Sequence, residues 1–433
     1  MPPASDAGLV RAIGARQLTA SIINVTIGAG IFVLPAVASA GLGAAAPIAY
    51  IVCAALMALI VCCFAAAGSR VALTGGVYAY VETAFGPFVG FLAGVLYFLM
   101  ATFAVASVSS AFAGSVGALW LPAASPAARA VLIAGLFALL AGVNVRGVRP
   151  GVRVVEVMAI AKLLPLLLLV VSGIWLIDPA HLRWPGMPGA ASVGKTAIVL
   201  IFAFVGLEVA LVPSGEVRDP ARTVPRALFS ALAITTTLYL LIQTVAQGLL
   251  GPSMATYSAA PLAEAAGRAL GQGGRLLVLL GAVVSMFGYV SGDMLGSPRT
   301  LFAFARAGVL PSVIARVHPR FHTPYLAIVM HACIVATVSI SSSFRQLAVL
   351  ANVAALTLYL MCVTASYELQ RRDVRADGAI PFAVPGGPAV PILAACVIVW
   401  LLSNATRREF GVEALVLAVA ALFYFIRRTG GQI

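Results

Sequence analysis

Charge is what this sequence has least of. Only 9% of its 433 residues are Asp, Glu, Lys or Arg, against roughly 25% in soluble globular domains. Hydrophobic residues make up 62% and the mean hydropathy is +1.06. That balance excludes a soluble multidomain enzyme, a disordered regulator and a disulfide-stapled secreted module, and leaves an integral membrane protein. Lysine is nearly missing: Lys162 and Lys195 are the only two. The six cysteines all lie in apolar runs with no pair in a loop, so neither disulfides nor a zinc site is expected. His181, His318, His322 and His331 show no ligand spacing, so no metal is expected either. No GxSxG elbow, paired-Asp motif or phosphate-cradling loop is present, which argues against an enzyme and against an organic cofactor. The opening MPPASDAGLVRAIGARQ has no short apolar core ending in a cleavage site, so it reads as a mature N-terminus.

The formal net charge is +13, a value that in a soluble domain would suggest nucleic acid. Here the basic residues form small groups between apolar runs, which fits the anionic face of a lipid bilayer instead. A crossing helix needs about 20 apolar residues, and no charge occurs from Leu18 through Ser69, room for two helices broken near Gly41 to Pro47. Further spans are expected near 87–119, 127–145, 154–177, 195–216, 227–250, 274–305, 323–342, 345–368, 385–404 and 411–426, twelve in all. With a cytoplasmic N-terminus, alternate loops place 18 basic residues inside and 8 outside. That bias predicts a multi-pass protein of the plasma (inner) membrane with both termini cytoplasmic.

Two spans carry glycine at mid-membrane: Thr26-Ile27-Gly28-Ala29-Gly30-Ile31-Phe32 in the first, and Phe202-Ala203-Phe204-Val205-Gly206-Leu207-Glu208 in the sixth. The spacing that carries Gly28 onto Gly206 carries Gly75 onto Ser253, so each half places a semi-polar segment between its second and third helices. Five helices per half is an odd number, which makes the halves an inverted repeat, about 16–178 and 194–370, followed by two more helices at about 385–428. Interrupted helices at matching positions of such halves point to a central site. Freed amides attract an anion and freed carbonyls a cation, so an α-amino acid would satisfy both. The alternative is that these glycines serve close helix packing.

The stretches IGAGIFVLP (27–35), FAFVGLEVALVPSGEVRDPARTVPRA (202–227), GDMLGSPRTLFAFARAGVLP (292–311) and HPRFHTPYLAI (318–328) resemble the amino acid–polyamine–organocation transporters, over nearly the whole chain. The resemblance implies an all-α LeuT-like fold with helices 1 and 6 broken. It implies that amides around Gly28, Ala29, Gly30 and Ile31 bind a substrate carboxylate, and that carbonyls of Thr26, Ile27, Phe202, Ala203 and Val205, beside Gly206, receive its ammonium. Phe202 stands where an aromatic gate is common. Ala29 replaces a frequent Ser or Thr, removing one hydroxyl contact.

Ionisable residues within spans are expensive and functional by default. Lys162 matches a fifth-helix lysine whose ammonium occupies a sodium position in sodium-coupled relatives, which implies sodium independence; the alternative is a lysine snorkelling to the surface near Arg153 and Glu156. Glu208 is open to two roles, coupling or holding the break. Asp293 is expected either to face the cavity and attract a cation or to pair with an arginine such as Arg299. Glu82 is a lesser gating candidate. The cluster Glu216, Arg218, Asp219, Arg222 and Arg226 reads as a gate network or a solvated loop, and Arg371 to Asp377 as a lipid-headgroup anchor.

The expected function is a sodium-independent, alternating-access amino acid permease, coupled to protons or exchanging, for small or medium neutral amino acids. A cationic amino acid or polyamine carrier and a non-transporting amino acid sensor are the alternatives. No obligate protein partner is expected.

Overall fold

Helix starts in this chain are marked by proline. Pro47, Pro87, Pro126, Pro220 and Pro261 each fall in the first two positions of a helix, where the missing N–H would have had no partner anyway. The computed structural model describes residues 14–71, 76–147, 152–184, 186–208, 217–375 and 381–429. Gly75, Glu216 and Asp377, and the side chains of Arg153 and Glu156, lie outside the described residues.

The described elements are helical throughout. In order they are α1 (Ala15–Thr26), α2 (Gly30–Leu42), α3 (Ala46–Arg70), α4 (Val77–Phe85), α5 (Pro87–Leu119), α6 (Pro126–Val145), α7 (Val152–Gly173), α8 (Ala190–Leu200), α9 (Pro220–Leu250), α10 (Pro261–Arg306), α11 (Tyr325–Ser341), α12 (Phe344–Arg371), α13 (Ala389–Leu402) and α14 (Arg407–Thr429). Each expected span overlaps a helix. By length and apolarity alone, seven helical segments of the described residues qualify as crossings, and four shorter apolar helices accompany them. The shorter ones include α8, whose expected span ran to 216 but whose α-helix stops at Leu200.

The 46 residues of α10 would make a rod of about 69 Å if straight, more than twice the roughly 30 Å of hydrocarbon in a bilayer. Gly271, at φ 68°, breaks it instead. A short arm precedes the glycine and a long crossing follows it, and the arm is tied back by Arg275 to Glu264 at 2.8 Å. The first half has the same construction: α4, then Gly86 at φ 88°, then α5. The register differs from the expectation, since Gly86 matches Gly271 about seven residues further along than the spacing of Gly28 and Gly206 would place it. Ser253 falls in a 3-10 turn, Gly251–Thr256, ahead of the arm.

Four long contacts organise the interior: α5 along α12, α3 along α9, and α10 against both α5 and α7. Tyr50, Tyr239, Tyr359, Phe64 and Phe204 are fully buried there, with Phe64 edge-on to Tyr359 at 5.4 Å and Phe204 edge-on to Tyr239 at 5.5 Å. Outside, α7, α13 and α14 expose Leu167, Val171, Ile392, Leu393, Leu415 and Leu422. An apolar exterior around a packed interior is what a lipid solvent requires.

Candidate functional site

Glycine opens both interrupted helices, and the two openings meet. Gly costs about 1 kcal/mol more than Ala within a helix, and α1 stops at Thr26 just before Gly28 and Gly30. The amides of Ala29, Gly30 and Ile31 begin α2, where helix geometry supplies no carbonyl for them; the Gly28 amide turns back to the Thr26 carbonyl at 2.9 Å. In the other break α8 tightens to a 3-10 turn at Ile201–Ala203 and then leaves helix. A Cβ at Gly30 would lie 3.1 Å from the Ala203 Cα, and one at Gly206 would lie 3.1 Å from Val25 and 3.5 Å from the Thr26 backbone. Gly30 therefore packs tightly against the main chain of the other break, and Gly206 against the Val25 side chain. Gly206 has a second reason to be glycine, a φ of 116° that other residues rarely adopt.

The freed carbonyls are largely held by side chains. The Tyr239 hydroxyl, on α9, stands 2.8 Å from the Ala203 carbonyl and 3.2 Å from that of Thr26, so one proton serves both breaks in turn. Asn352, on α12 and fully buried, donates to the Ile198 and Val199 carbonyls at 2.7 and 3.2 Å, closing the end of α8. Lys162 donates from Nζ to the Asn24 carbonyl at 2.8 Å and the Ile27 carbonyl at 3.2 Å. Its side chain is turned inward and only 6% exposed, which rules out the snorkelling alternative. The lysine thus puts its ammonium at the carbonyl end of α1, where the helix dipole favours a cation.

Glu208 is fully buried. Its carboxylate accepts from the Gly206 amide at 3.0 and 3.1 Å and from the Tyr359 hydroxyl at 2.6 Å. It therefore braces the second break against α12. Among the described residues Asp293 pairs with neither Arg299 nor any other arginine: it accepts from Ser297 at 2.6 Å and meets His331 Nε2, on α11, at 3.0 Å. Arg299, six positions on, lies on another face of α10 and is exposed.

Two spaces flank the breaks. The larger, about 1370 Å³, is bounded by the first turns of α5, the end of α6 and the second half of α10, and reaches Lys162, Glu208 and Asp293. It opens towards the ends that carry Arg146 and Arg306, and Glu82 lies on its wall. The smaller, about 10 Å³, is lined by Thr26, Gly28, Ala29, Gly30, Phe202 and Val205, room for about one water. Tyr289 lines both spaces, its ring 3.4 Å from where a Gly28 Cβ would be. Phe202 closes the far side against Phe344, rings edge-on at 5.7 Å. Ser107 binds the Phe344 carbonyl and stands twenty residues along α5 from Pro87, about 30 Å from the open end. The molecule is open on one face and shut on the other.

On the open face Arg70 binds Asp373 at 3.4 Å and the Val374 carbonyl at 3.0 Å, and the Phe382 amide binds Ser69 at 2.9 Å. Hydrogen bonding from Arg375 holds the Asp373 carboxyl below its ordinary value. Arg371 and Arg372 both reach Glu368, at 2.9 and 2.6 Å. This arginine-rich stretch, expected to anchor headgroups, is thus engaged with carboxylates of its own chain. Arg222 lies 3.8 Å from Asp219 in the other basic cluster.

Reasoning from sequence missed Tyr239, Tyr289, Asn352, Tyr359 and His331. The signal for Asn352 and His331 was present, a polar residue within an apolar span; His331 was weighed only as a metal ligand. The tyrosines gave none, since an aromatic in a span reads as packing.

Paired interruptions with satisfied carbonyls, a small pocket between them and a vestibule on one face define a helical multi-pass membrane protein of the transporter class. The chain belongs to the amino acid permease family, whose model matches residues 13–409. A methylthioribose transporter of Bacillus subtilis (strain 168) is 29% identical over 96% of this chain and 93% of its own length. A serine/threonine exchanger of the same organism is 28% identical over 90% of both chains. A branched-chain amino acid permease from it is 27% identical over 92% of this chain and 89% of its own.

Proposed function

We propose that the protein is a sodium-independent carrier of small or medium neutral amino acids that works by alternating access across the plasma membrane, either with protons or by exchange. The observation that carries this reading is Lys162: its ammonium already lies on the Asn24 and Ile27 carbonyls at the end of α1, the kind of position a coupling cation would otherwise take. In this reading the two halves are inverted repeats in a twelve-helix chain, both termini are cytoplasmic, and the vestibule faces the cytoplasm.

The amides of Ala29, Gly30 and Ile31, with Gly28, receive the substrate carboxylate. The carbonyls of Phe202 and Val205 receive the ammonium, with those of Thr26, Ile27 and Ala203 offering their second lone pairs beside Tyr239 and Lys162. Phe202 is the outer gate, and Lys162, Glu208 and Asp293 are the coupling candidates. A neutral substrate is favoured over a cationic one because Asp293 is engaged by Ser297 and His331, and Glu208 by Gly206 and Tyr359. The relatives' names, a serine/threonine exchanger and a branched-chain permease, support the same choice, while the methylthioribose transporter makes that thioether sugar a necessary control.

The test is uptake into liposomes containing the purified protein, in sodium-free buffer, with labelled serine, leucine, arginine, putrescine and methylthioribose, with and without a pH gradient. Uptake of serine or leucine without sodium supports the reading, and its loss in Lys162→Ala ties it to the α1 site. Strict sodium dependence overturns the role of Lys162. Binding without flux under any gradient makes the protein a sensor.

A further inference from the structure

We propose that Asp293 and His331 together form a proton-binding site, and that uptake of one proton there favours closure of the vestibule and sets the pH dependence of transport. The proposal rests on the carrier reading, and goes beyond it by naming the titrating pair and the direction of its effect.

The pair joins two helices at the wall of the vestibule. Asp293, on α10, is partly open to that space, whereas His331, on α11, is fully buried. Nε2 of the imidazole lies 3.0 Å from the carboxylate and Nδ1 has no hydrogen-bond partner. The segment ahead of α11 carries Arg316, His318, Arg320 and His322, and α10 carries Arg299; of these only His318 is not exposed. From α5 come Phe98, whose ring is 5.7 Å from the imidazole, and Tyr97. α6 contributes one charged side chain, Arg129, which is bound to Ser110. Thr323, just ahead of α11, binds the Val145 carbonyl at the end of α6, so α11 runs back along α6 and Arg129 lies about 12 Å beyond the level of His331 along the helix axis. On α10 itself Tyr289 and Ser297 flank Asp293. Elsewhere on the vestibule wall are Glu82, Glu208, Lys162 and, at the end of α10, Arg306; Lys162 is committed to α1 carbonyls and Arg306 lies over the Phe302 ring at 5.9 Å.

With the imidazole neutral and its Nε2–H donated, the pair carries one negative charge, and vestibule water solvates the exposed edge of Asp293. Closing the vestibule removes that water and leaves a carboxylate without a cation, which is strongly unfavourable. Uptake of one proton by the pair gives an imidazolium, with N–H on both ring nitrogens, beside a carboxylate, and a net charge of zero. The closed form then buries no net charge. In the open form the same proton puts an N–H on Nδ1 with no acceptor. The unprotonated pair thus fits the open arrangement and the protonated pair a different one, so the proton biases an equilibrium between two conformations. Histidine is the side chain suited to do this, since its ordinary titration falls between about pH 5 and 8.

Two measurements test this. The protein has four histidines, so imidazole signals of 15N-histidine-labelled protein can be followed across about pH 5 to 8 in the wild type, His331→Gln and Asp293→Asn. Sodium-free uptake is measured over the same range. The expected result is a titrating signal that His331→Gln removes and Asp293→Asn displaces. Uptake that varies with pH in the wild type should become flat within about twofold in both variants. Wild-type pH dependence persisting in His331→Gln overturns the proposal. If that variant does not fold, a His331 signal that keeps one protonation state throughout the range overturns it in the wild type alone. A titrating His331 in a protein that moves nothing would overturn the carrier reading, and with it any role in transport.

Discussion

The Tyr239 hydroxyl lies 2.8 Å from the Ala203 carbonyl and within reach of Thr26, so one side chain of α9 ties together two interruptions far apart in sequence. Both carbonyls lie in the buried interior and lack helical partners. Replacing Tyr239 by Phe leaves them with no side-chain donor, at a cost of about 1–3 kcal/mol. The expected outcome is a lower thermal midpoint for detergent-purified Tyr239→Phe with its ring packing against Phe204 preserved. An unchanged midpoint would mean that the hydroxyl does not hold the breaks together.

The glycines of the two breaks are not equivalent, which gives a contrast within one experiment. A methyl at Gly28 would meet the Tyr289 ring at an ordinary 3.4 Å, whereas a methyl at Gly206 would meet Val25 at 3.1 Å on a backbone of φ 116°. Strain of that kind costs roughly 1–3 kcal/mol. Gly206→Ala should therefore lose most uptake, and Gly28→Ala should retain the larger share. Equal loss in both would show that substrate contact, not backbone geometry, sets the requirement at Gly28.

The helices were legible in the sequence because charge-free length is set by the bilayer, and the breaks because glycine is the residue that opens a helix. The expected starts at 87 and 127 and ends at 145 and 250 coincide with α5, α6 and α9 to within a residue. What holds the breaks was not legible: Tyr239, Asn352 and Tyr359 come from distant helices, and nothing local distinguishes a tyrosine that donates from one that only packs. The partner of Asp293 was hidden likewise. Charge counting offers arginines first, while His331 reaches it only because α10 and α11 pack side by side.

Phe202 meets Phe344 edge-on at 5.7 Å on the shut face. An aromatic pair of this geometry contributes about 0.5–1.5 kcal/mol beyond area burial, enough to change the occupancy of the shut state severalfold. If this contact is the outer gate, Phe344→Ala should reproduce the effect of Phe202→Ala, and the double variant should be little worse than either, because both remove one contact. Additive losses in uptake would assign Phe202 to substrate contact instead.

Asp373 is an acid whose charge does not change in the working range. Arg375, and then Arg70, hold its carboxyl below the ordinary 3.8. A lowered pKa in the folded protein means that the contact is fully formed above the ordinary value and is lost only as pH falls through the lowered one. The tie between the end of α3 and the segment after α12 therefore stays intact from pH 8 down to about pH 5. Asp373→Asn weakens the tie equally at every pH in that interval. Uptake by this variant should be scaled by a constant factor, its pH profile parallel to the wild type, and more so at low ionic strength, where exposed ion pairs are least screened. A profile that changes shape between pH 5 and 8 would place a titrating group at this face and take the pH response away from α10 and α11.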